Sequence, residues 1–125
     1  MTPKTAILCD DDKTTTMILK HLLTPLGFSV SVAQNGKEGM ALIEAAKPDL
    51  LILDLEMPVK NGISVLQDLK EKNISGFYTI VLSSHESETA HDQVKQLGAD
   101  EVVVKPFTPA LLVKHIEDIA KEGRV

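Results

Sequence analysis

The chain has 125 residues, a net charge of −5 and a hydrophobic fraction of 43%. This length suits one domain with a hydrophobic core and is short for two, so we expect residues 1–125 to form a single domain. The acidic balance argues against direct nucleic-acid binding, which needs a cationic face. The single cysteine, and the lack of an apolar segment of about 20 residues or a signal-peptide core, predict a soluble cytoplasmic protein without membrane contact.

The first half of the chain predicts two strands, each followed by a helix. Residues 5–9 are an apolar run that ends at three consecutive aspartates, which is typical of a buried strand. A helical pattern follows and stops at Gly27; its apolar positions are Met17, Ile18, Leu22, Leu23 and Leu26. Residues 28–33 alternate between apolar and polar, which indicates a half-buried strand at a sheet edge. After a predicted turn at residues 35–36, residues 37–46 fit a helix with Met40 and Ile43 on its inner face.

The second half repeats this alternation three times. Residues 50–54 are an unbroken apolar run that stops at Asp54, and we expect a strand buried on both faces. A turn at residues 61–62 and a helix over about 63–72 follow. Residues 78–82 predict a fourth strand, and 85–97 a polar helix that Gly98 ends. Residues 101–104 predict a fifth buried strand before Lys105, and Thr108 and Pro109 have the chemistry of a helix start.

The alternation of five strands with five helices predicts an α/β fold with a single doubly wound parallel sheet. An edge position for the second strand fits the flavodoxin-like order 2-1-3-4-5. The carboxyl ends of the strands then meet in one crevice. Polar residues follow four of these strands: Asp10, Asp11, Asp54, Ser83 and Lys105. Each alone has an ordinary explanation, such as a helix cap or a surface charge, but their convergence points to a site.

The chemistry of this residue set favours phosphoryl transfer. Three carboxylates in one crevice repel one another unless a cation neutralises them, and a hard divalent ion such as Mg²⁺ suits their oxygens. The four histidines are dispersed, so a zinc site is not favoured. An aspartate beside a metal ion, an amine and a hydroxyl can attack phosphorus, and aspartyl-phosphate formation is a known type of covalent catalysis. We therefore expect Asp54 to be a nucleophile.

These residues resemble the receiver domains of bacterial two-component response regulators. The match runs from Ile7 to about Ile119 and combines Asp10-Asp11, the segment Asp54-Leu-Glu-Met-Pro with Gly62 after it, Ser83-Ser84, and Lys105-Pro-Phe. Any one piece is weak, but the four together at these strand ends are specific. The resemblance implies a signalling domain and no enzyme beyond its own phosphorylation and dephosphorylation.

The resemblance also implies roles for the charged residues. Asp54 would accept a phosphoryl group from a phosphohistidine of a sensor kinase or a histidine phosphotransfer protein. Mg²⁺ (or Mn²⁺) would be bound by Asp11, Asp54 and the backbone carbonyl of Glu56, and by Asp10 through water. Lys105 would pair with the carboxylate and then with the phosphoryl group, and its bond to Pro106 would be cis.

Other positions would govern the signal and its lifetime. Ser83 would be the switch hydroxyl, and Ser84 the small residue that leaves room for the phosphoryl group. The resemblance implies that Glu56 and His85 would border the attacking water and tune the dephosphorylation rate. The family often has an aromatic residue on the fifth strand; Val102 stands there, so motion of the loop and the fourth helix would have to carry the signal.

The implied output surface is formed by the fourth helix, the fifth strand and the fifth helix, where a downstream protein partner would bind. Its candidate residues are His91, Lys95, Glu101, Lys114 and His115. Three alternatives remain at this point: a Mg²⁺-dependent phosphatase of the haloacid-dehalogenase type, a flavodoxin-like nucleotide binder, and a docking module that works without phosphorylation. The acidic residues after the first strand argue against a nucleotide phosphate there.

Overall fold

The computed structural model describes residues 4–84 and 88–125, and it confirms the predicted parallel sheet. The strands are β1 (Lys4–Cys9), β2 (Phe28–Ala33), β3 (Leu50–Asp54), β4 (Tyr78–Ser83) and β5 (Glu101–Val104). They pair in parallel in the order β2-β1-β3-β4-β5. Every residue of the central strand β3 is buried, as its unbroken apolar sequence predicts.

The helices cover both faces of this sheet. They are α1 (Lys13–Leu23), α2 (Gly36–Ala45), α3 (Gly62–Glu71), α4 (Glu88–Gln96) and α5 (Pro109–Lys121). Because side chains alternate along each strand, the buried residues form two clusters, one under α1 and α5 and one under α2, α3 and α4. The predicted start of the fourth helix at residue 85 lies outside the described residues. No helix in the described part of the chain is long and apolar enough to cross a membrane.

The apolar residues that recur at helical spacing in the first helix are only partly the ones that α1 buries. Met17 and Ile18 are 67% and 39% exposed, whereas Leu19, Leu23 and the polar Thr16 are buried. Two apolar stripes overlap in this helix, and only packing against β2 and α5 decides which one is buried. Leu26 is also outside α1, in a short 3₁₀ turn over Thr24–Leu26 that contains Pro25.

Both Asn-Gly pairs begin helices and do not form separate turns. The Oδ1 atoms of Asn35 and Asn61 each accept a hydrogen bond, at 2.9 Å, from the backbone N–H three residues later. Asparagine is a favourable N-cap, so α2 and α3 begin one residue earlier than predicted. A Cβ atom on Gly62 would lie 2.6 Å from the Asp54 carbonyl oxygen, which means that glycine lets α3 start against the end of β3.

The fifth strand differs from the expected fully buried strand. All four residues of β5 are only partly buried. It pairs with β4 alone and forms one edge of the sheet, as β2 forms the other. This edge position leaves the side chains of β5 within reach of solvent beside α4 and α5.

Candidate functional site

Asp54 ends β3 at the carboxyl edge of the sheet, where it is 2% exposed. Its Oδ2 atom lies 2.8 Å from the Nζ atom of Lys105. Its Oδ1 atom accepts a hydrogen bond from the backbone N–H of Glu56 at 3.1 Å. Each carboxylate oxygen therefore has a partner, and the side chain is fixed in one orientation.

Two further carboxylates converge on this position from the end of β1. Asp10, Asp11 and Asp54 each offer one carboxylate oxygen to a cluster in which these atoms lie within 4.8 Å of one another. Asp12, the third acid in the run, has a different task, because its Oδ1 accepts from the backbone N–H groups of Thr14 and Thr15 at 3.0 and 3.3 Å and caps α1.

Asp10 has a buried carboxylate oxygen that lacks a hydrogen-bond partner among the described residues. Its Oδ1 accepts from the backbone N–H of Asp12 at 3.0 Å, but its Oδ2 is buried without a hydrogen-bond partner among the described residues. Burial raises the pKa of Asp10 from 3.8 to about 6, the bond from Asp12 opposes the rise, and the negative charge of Asp54 adds to it. An orphaned oxygen among three acids fits an oxygen-preferring divalent cation.

Among the residues that the structure describes, Lys105 is the cationic side chain that forms an ion pair with Asp54. Burial lowers the pKa of Lys105, but the hydrogen bond and charge of Asp54 outweigh this, and Asp10 and Glu56 contribute further, so the pKa is raised overall. Its backbone N–H donates to the Ser83 carbonyl oxygen at 2.8 Å, and the Lys105–Pro106 peptide is cis, as the resemblance implies. The residue therefore stays a charged ammonium facing the carboxylate.

The serines at the end of β4, Ser83 and Ser84, lie at the same sheet edge as Asp54 and Lys105. Ser83 is fully buried at the end of the strand, and Ser84 is exposed. The Ser84 hydroxyl donates a hydrogen bond to the Glu56 carboxylate. This contact joins residues 28 positions apart, and no sequence pattern signals it. His85, the other predicted rate-tuning residue, lies outside the described residues.

The predicted output surface contains a bonded network that the sequence does not reveal. The Nε2 atom of His115 lies 2.7 Å from each carboxylate oxygen of Glu101, and the Tyr78 hydroxyl donates to the same carboxylate. The guanidinium of Arg124 donates to the Tyr78 hydroxyl at 3.1 Å and lies 5.1 Å from its ring centre. Burial raises the pKa of Glu101, but the bonds from Tyr78 and His115 outweigh it and hold the pKa below its usual value. These side chains fasten β4, β5 and α5 together at the opposite end of the sheet from Asp54.

Comparison with known proteins agrees with this geometry. The family model of the response regulator receiver domain matches residues 6–117. The chain is 39% identical over 117 residues to the transcriptional regulatory protein CpxR of Klebsiella pneumoniae, covering 94% of this chain and 49% of that protein. It is 35% identical over 120 residues to the nitrate/nitrite response regulator protein NarL of Escherichia coli, covering 94% and 55%. The chain thus spans about half the length of these curated relatives.

Solved structures show the same similarity. The receiver domain of the Francisella response regulator 1452 superposes with a TM-score of 0.86 at 29% identity, covering 96% of this chain and 98% of that one. A CheY-like receiver domain protein from Methanospirillum hungatei gives a TM-score of 0.85 at 27% identity, with 96% and 95% coverage.

The chain therefore belongs to the response regulator receiver domains, the signalling domains of two-component systems. The match over most of the chain does not favour the phosphatase or the nucleotide binder. The docking module without phosphorylation is not favoured either, because the three acids and the lysine predicted from the sequence lie together in one crevice.

Proposed function

We propose that Asp54 accepts a phosphoryl group from a phosphohistidine of a sensor kinase or a histidine phosphotransfer protein. The observation that carries this proposal is the 2.8 Å pair between Lys105 and a buried carboxylate that lies within a cluster of three acids. An oxygen of Asp54 bonds to phosphorus, the P–N bond of the phosphohistidine breaks, and the leaving imidazole nitrogen takes its electron pair. The Lys105 ammonium then neutralises charge on the phosphoryl oxygens.

A divalent cation, Mg²⁺ or Mn²⁺, would be held by Asp10, Asp11 and Asp54 with the backbone carbonyl of Glu56. The buried, unpartnered Oδ2 atom of Asp10 supports this assignment, because a buried carboxylate oxygen needs a counter-ion or a donor. When bound, the cation would offset negative charge on the phosphoryl oxygens. Asp11 and Asp54 would bind and orient it directly from the ends of β1 and β3, and Asp10 would hold it through water.

Ser83 would be the switch residue, with its hydroxyl turning towards the phosphoryl group while Ser84 leaves room for it. The carbonyl oxygen of Ser83 already accepts from Lys105, so a shift of Ser83 moves the end of β5 as well. Because Val102 replaces an aromatic residue on β5, the movement would pass through the loop after β4 and through α4. The domain would thus bias a pre-existing equilibrium between two states of its surface.

The proposed partners are proteins. Exposed apolar side chains stand on segments that start at the same sheet edge as Asp54, and they offer a surface to a phosphodonor: Met17 on α1, Val59 after β3 and Leu111 on α5. A downstream partner would bind the face of α4, β5 and α5, where the Glu101–His115 pair lies. We propose a role in signalling without direct nucleic-acid contact, without membrane contact, and without catalysis beyond turnover of the domain's own phosphoryl group.

Labelling of the acceptor tests the assignment. The wild type, incubated with Mg²⁺ and acetyl phosphate or a phosphohistidine donor, is expected to gain one acid-stable, base-labile phosphoryl group. Asp54→Asn should lose this label. Asp118→Asn, which changes an exposed acid on α5, is the matched control and should keep it. Full labelling of Asp54→Asn would refute the assignment.

A further inference from the structure

A groove between α3 and α4 lies apart from the Asp54 crevice. It has a volume of about 280 Å³ and lies beside the start of β4, whereas Asp54 ends β3 at the opposite edge of the sheet. Its floor includes the buried side chains of Leu66 and Leu69. Half-buried apolar side chains surround this floor: Ile74, Phe77 and Leu97. A concave surface with such an apolar lining is typical of a site for a small organic molecule.

The sequence of α4 explains why this α3–α4 groove is open. The residues of α4 are mostly polar, and among its described side chains Val94 is the one that is buried. A helix with so narrow an apolar stripe cannot cover the apolar surface of α3 completely. Asn73 and Gly98 follow the last turns of α3 and α4 with a left-handed backbone, at φ values of 55° and 111°. Both residues line the groove, so the ends of the two helices form its rim.

Lys70 is the one charged side chain among the described residues that line the groove. Its Nζ atom donates to the carbonyl oxygen of Gln96 at 3.4 Å and so connects α3 to α4. An ammonium has three N–H donors, and the other two have no partner among the described residues. The carbonyl oxygens of Gln93, Val94 and Lys95 already accept from backbone N–H groups. The polar group that complements this rim is therefore an acceptor, and a carboxylate is the strongest acceptor for an ammonium.

We propose that the α3–α4 groove binds a compact organic monocarboxylate with one aromatic ring, and that the bound molecule holds α4 in its unphosphorylated position. The ring would lie against Leu66 and Leu69, and the carboxylate would pair with Lys70. A cavity of roughly 150 Å³ holds one benzene molecule. A volume of about 280 Å³ therefore leaves room for a short chain that carries the carboxylate to the rim.

The regulatory half of the proposal rests on the proposed function, in which phosphorylation of Asp54 acts through α4. In the described structure Lys105 pairs with the unmodified Asp54, so the groove belongs to the unphosphorylated arrangement. A ligand that contacts α3 and the end of α4 together binds best when their spacing is the described one. Such a ligand shifts the population towards that state and opposes phosphorylation.

Two probes of nearly equal shape can test the site: 3-phenylpropionate, which is an anion, and its neutral amide, 3-phenylpropanamide. Each is titrated into the 125-residue protein while the methyl signals are followed by NMR. The methyl groups of Leu66, Leu69 and Leu97 should shift with 3-phenylpropionate. Those of Leu112 and Ile116, which are buried under α5 on the other face of the sheet, should stay in place. Shifts confined to other parts of the protein, or no shifts, would overturn the site.

Charge variants test the role of Lys70. Lys70→Gln should weaken binding of 3-phenylpropionate about threefold, as expected for an exposed ion pair, and should leave binding of the amide unchanged. Gln96→Glu places a negative charge at the rim and should give the same contrast. Lys114→Gln removes an exposed charge on α5 and is the matched control, which should bind both probes as the wild type does. Equal weakening of both probes in Lys70→Gln would show damage to the groove and would overturn recognition of the carboxylate.

Beryllofluoride, which with Mg²⁺ mimics a phosphoryl group on an aspartate, tests the regulatory half. It should weaken binding of 3-phenylpropionate about fivefold, and saturating 3-phenylpropionate should weaken binding of beryllofluoride by the same factor. Asp54→Asn should bind 3-phenylpropionate as the wild type does and should not respond to beryllofluoride. Equal or tighter binding in beryllofluoride, in a protein that is labelled on Asp54, would overturn the regulatory half alone. A wild type that takes no phosphoryl label would overturn the proposed function, whereas the methyl shifts test the groove without it.

Discussion

The buried carboxylate of Asp10 makes the metal-free domain less stable as it ionises. Its pKa is about 6 in the fold against 3.8 ordinarily, a difference of roughly two pH units. At about 1.4 kcal/mol per unit, ionised Asp10 costs about 3 kcal/mol of unfolding free energy. The folded state binds the proton more tightly than the unfolded chain, so the stabilisation by protonated Asp10 is fully present below about pH 4 and is lost as pH rises through 6.

Asp10→Asn isolates this contribution, since asparagine is neutral throughout and keeps an oxygen for the N–H of Asp12. Without metal at pH 7.5, we expect Asp10→Asn to be more stable than the wild type by up to about 3 kcal/mol. At pH 4 the difference should largely close, because Asp10 is then protonated in the folded wild type and partly protonated in its unfolded chain. The asparagine amide can also donate towards Asp54, which replaces a repulsive contact by a hydrogen bond.

Urea unfolding in EDTA, followed by far-UV circular dichroism at intervals between pH 4 and 7.5, measures the difference between the two proteins. Taking the difference cancels the other titrating groups, and Asp118→Asn serves as the control for loss of an exposed acid on α5. The reasoning is refuted if Asp10→Asn is no more stable than the wild type at pH 7.5. It is also refuted if the difference in unfolding free energy does not narrow towards pH 4.

Three further predictions concern the same crevice. Millimolar Mg²⁺ should raise the melting temperature of the wild type by several degrees and that of Asp11→Asn by less, since a ligand at 100 times its Kd adds about 2.7 kcal/mol; an unchanged wild type in calorimetry would contradict the metal site. Gly62→Ala should lose about 1–3 kcal/mol in urea unfolding because its Cβ meets backbone atoms of residues 54 and 55, and wild-type stability would contradict that close packing. Glu56→Asn and His85→Ala should alter the rate of phosphate loss from labelled protein, and wild-type rates in both would remove their tuning role.

The sheet could be predicted because each strand carries its own local signal. The unbroken apolar run of β3 indicates a strand that is buried on both faces, and this places β3 in the centre of the sheet. The alternation in β2 indicates a strand that is buried on one face, and this places β2 at an edge. Strand order then brings the polar strand ends together. Asp10, Asp11, Asp54 and Lys105 were therefore predictable as a group, and the described geometry brings them together.

Features that depend on packing between distant segments could not be predicted. In α1, two apolar stripes overlap, and the buried one includes the polar Thr16, whereas Met17 and Ile18, which fit the helical pattern, are exposed. The bond from Ser84 to Glu56 depends on side-chain rotamers in two loops that the sheet makes neighbours. Sequence spacing contains no information about such rotamers, although it places both residues at the same sheet edge.

Backbone hydrogen bonds at the strand ends offer a path by which a local change at Asp54 would alter the conformation of the protein surface. Leu55 N–H donates to the Leu82 carbonyl oxygen at 3.0 Å, and Lys105 N–H donates to that of Ser83 at 2.8 Å, so the ends of β3, β4 and β5 are linked in series. Phosphorylation would exchange the Lys105–Asp54 ion pair for one between Lys105 and the phosphoryl group, which keeps the lysine paired. A displacement of Ser83 would then pull on β5 through its carbonyl, and β5 is the partly buried edge strand beside the proposed partner surface. The partial exposure of β5, which the sequence did not predict, would thus let a partner contact the strand and respond to its position.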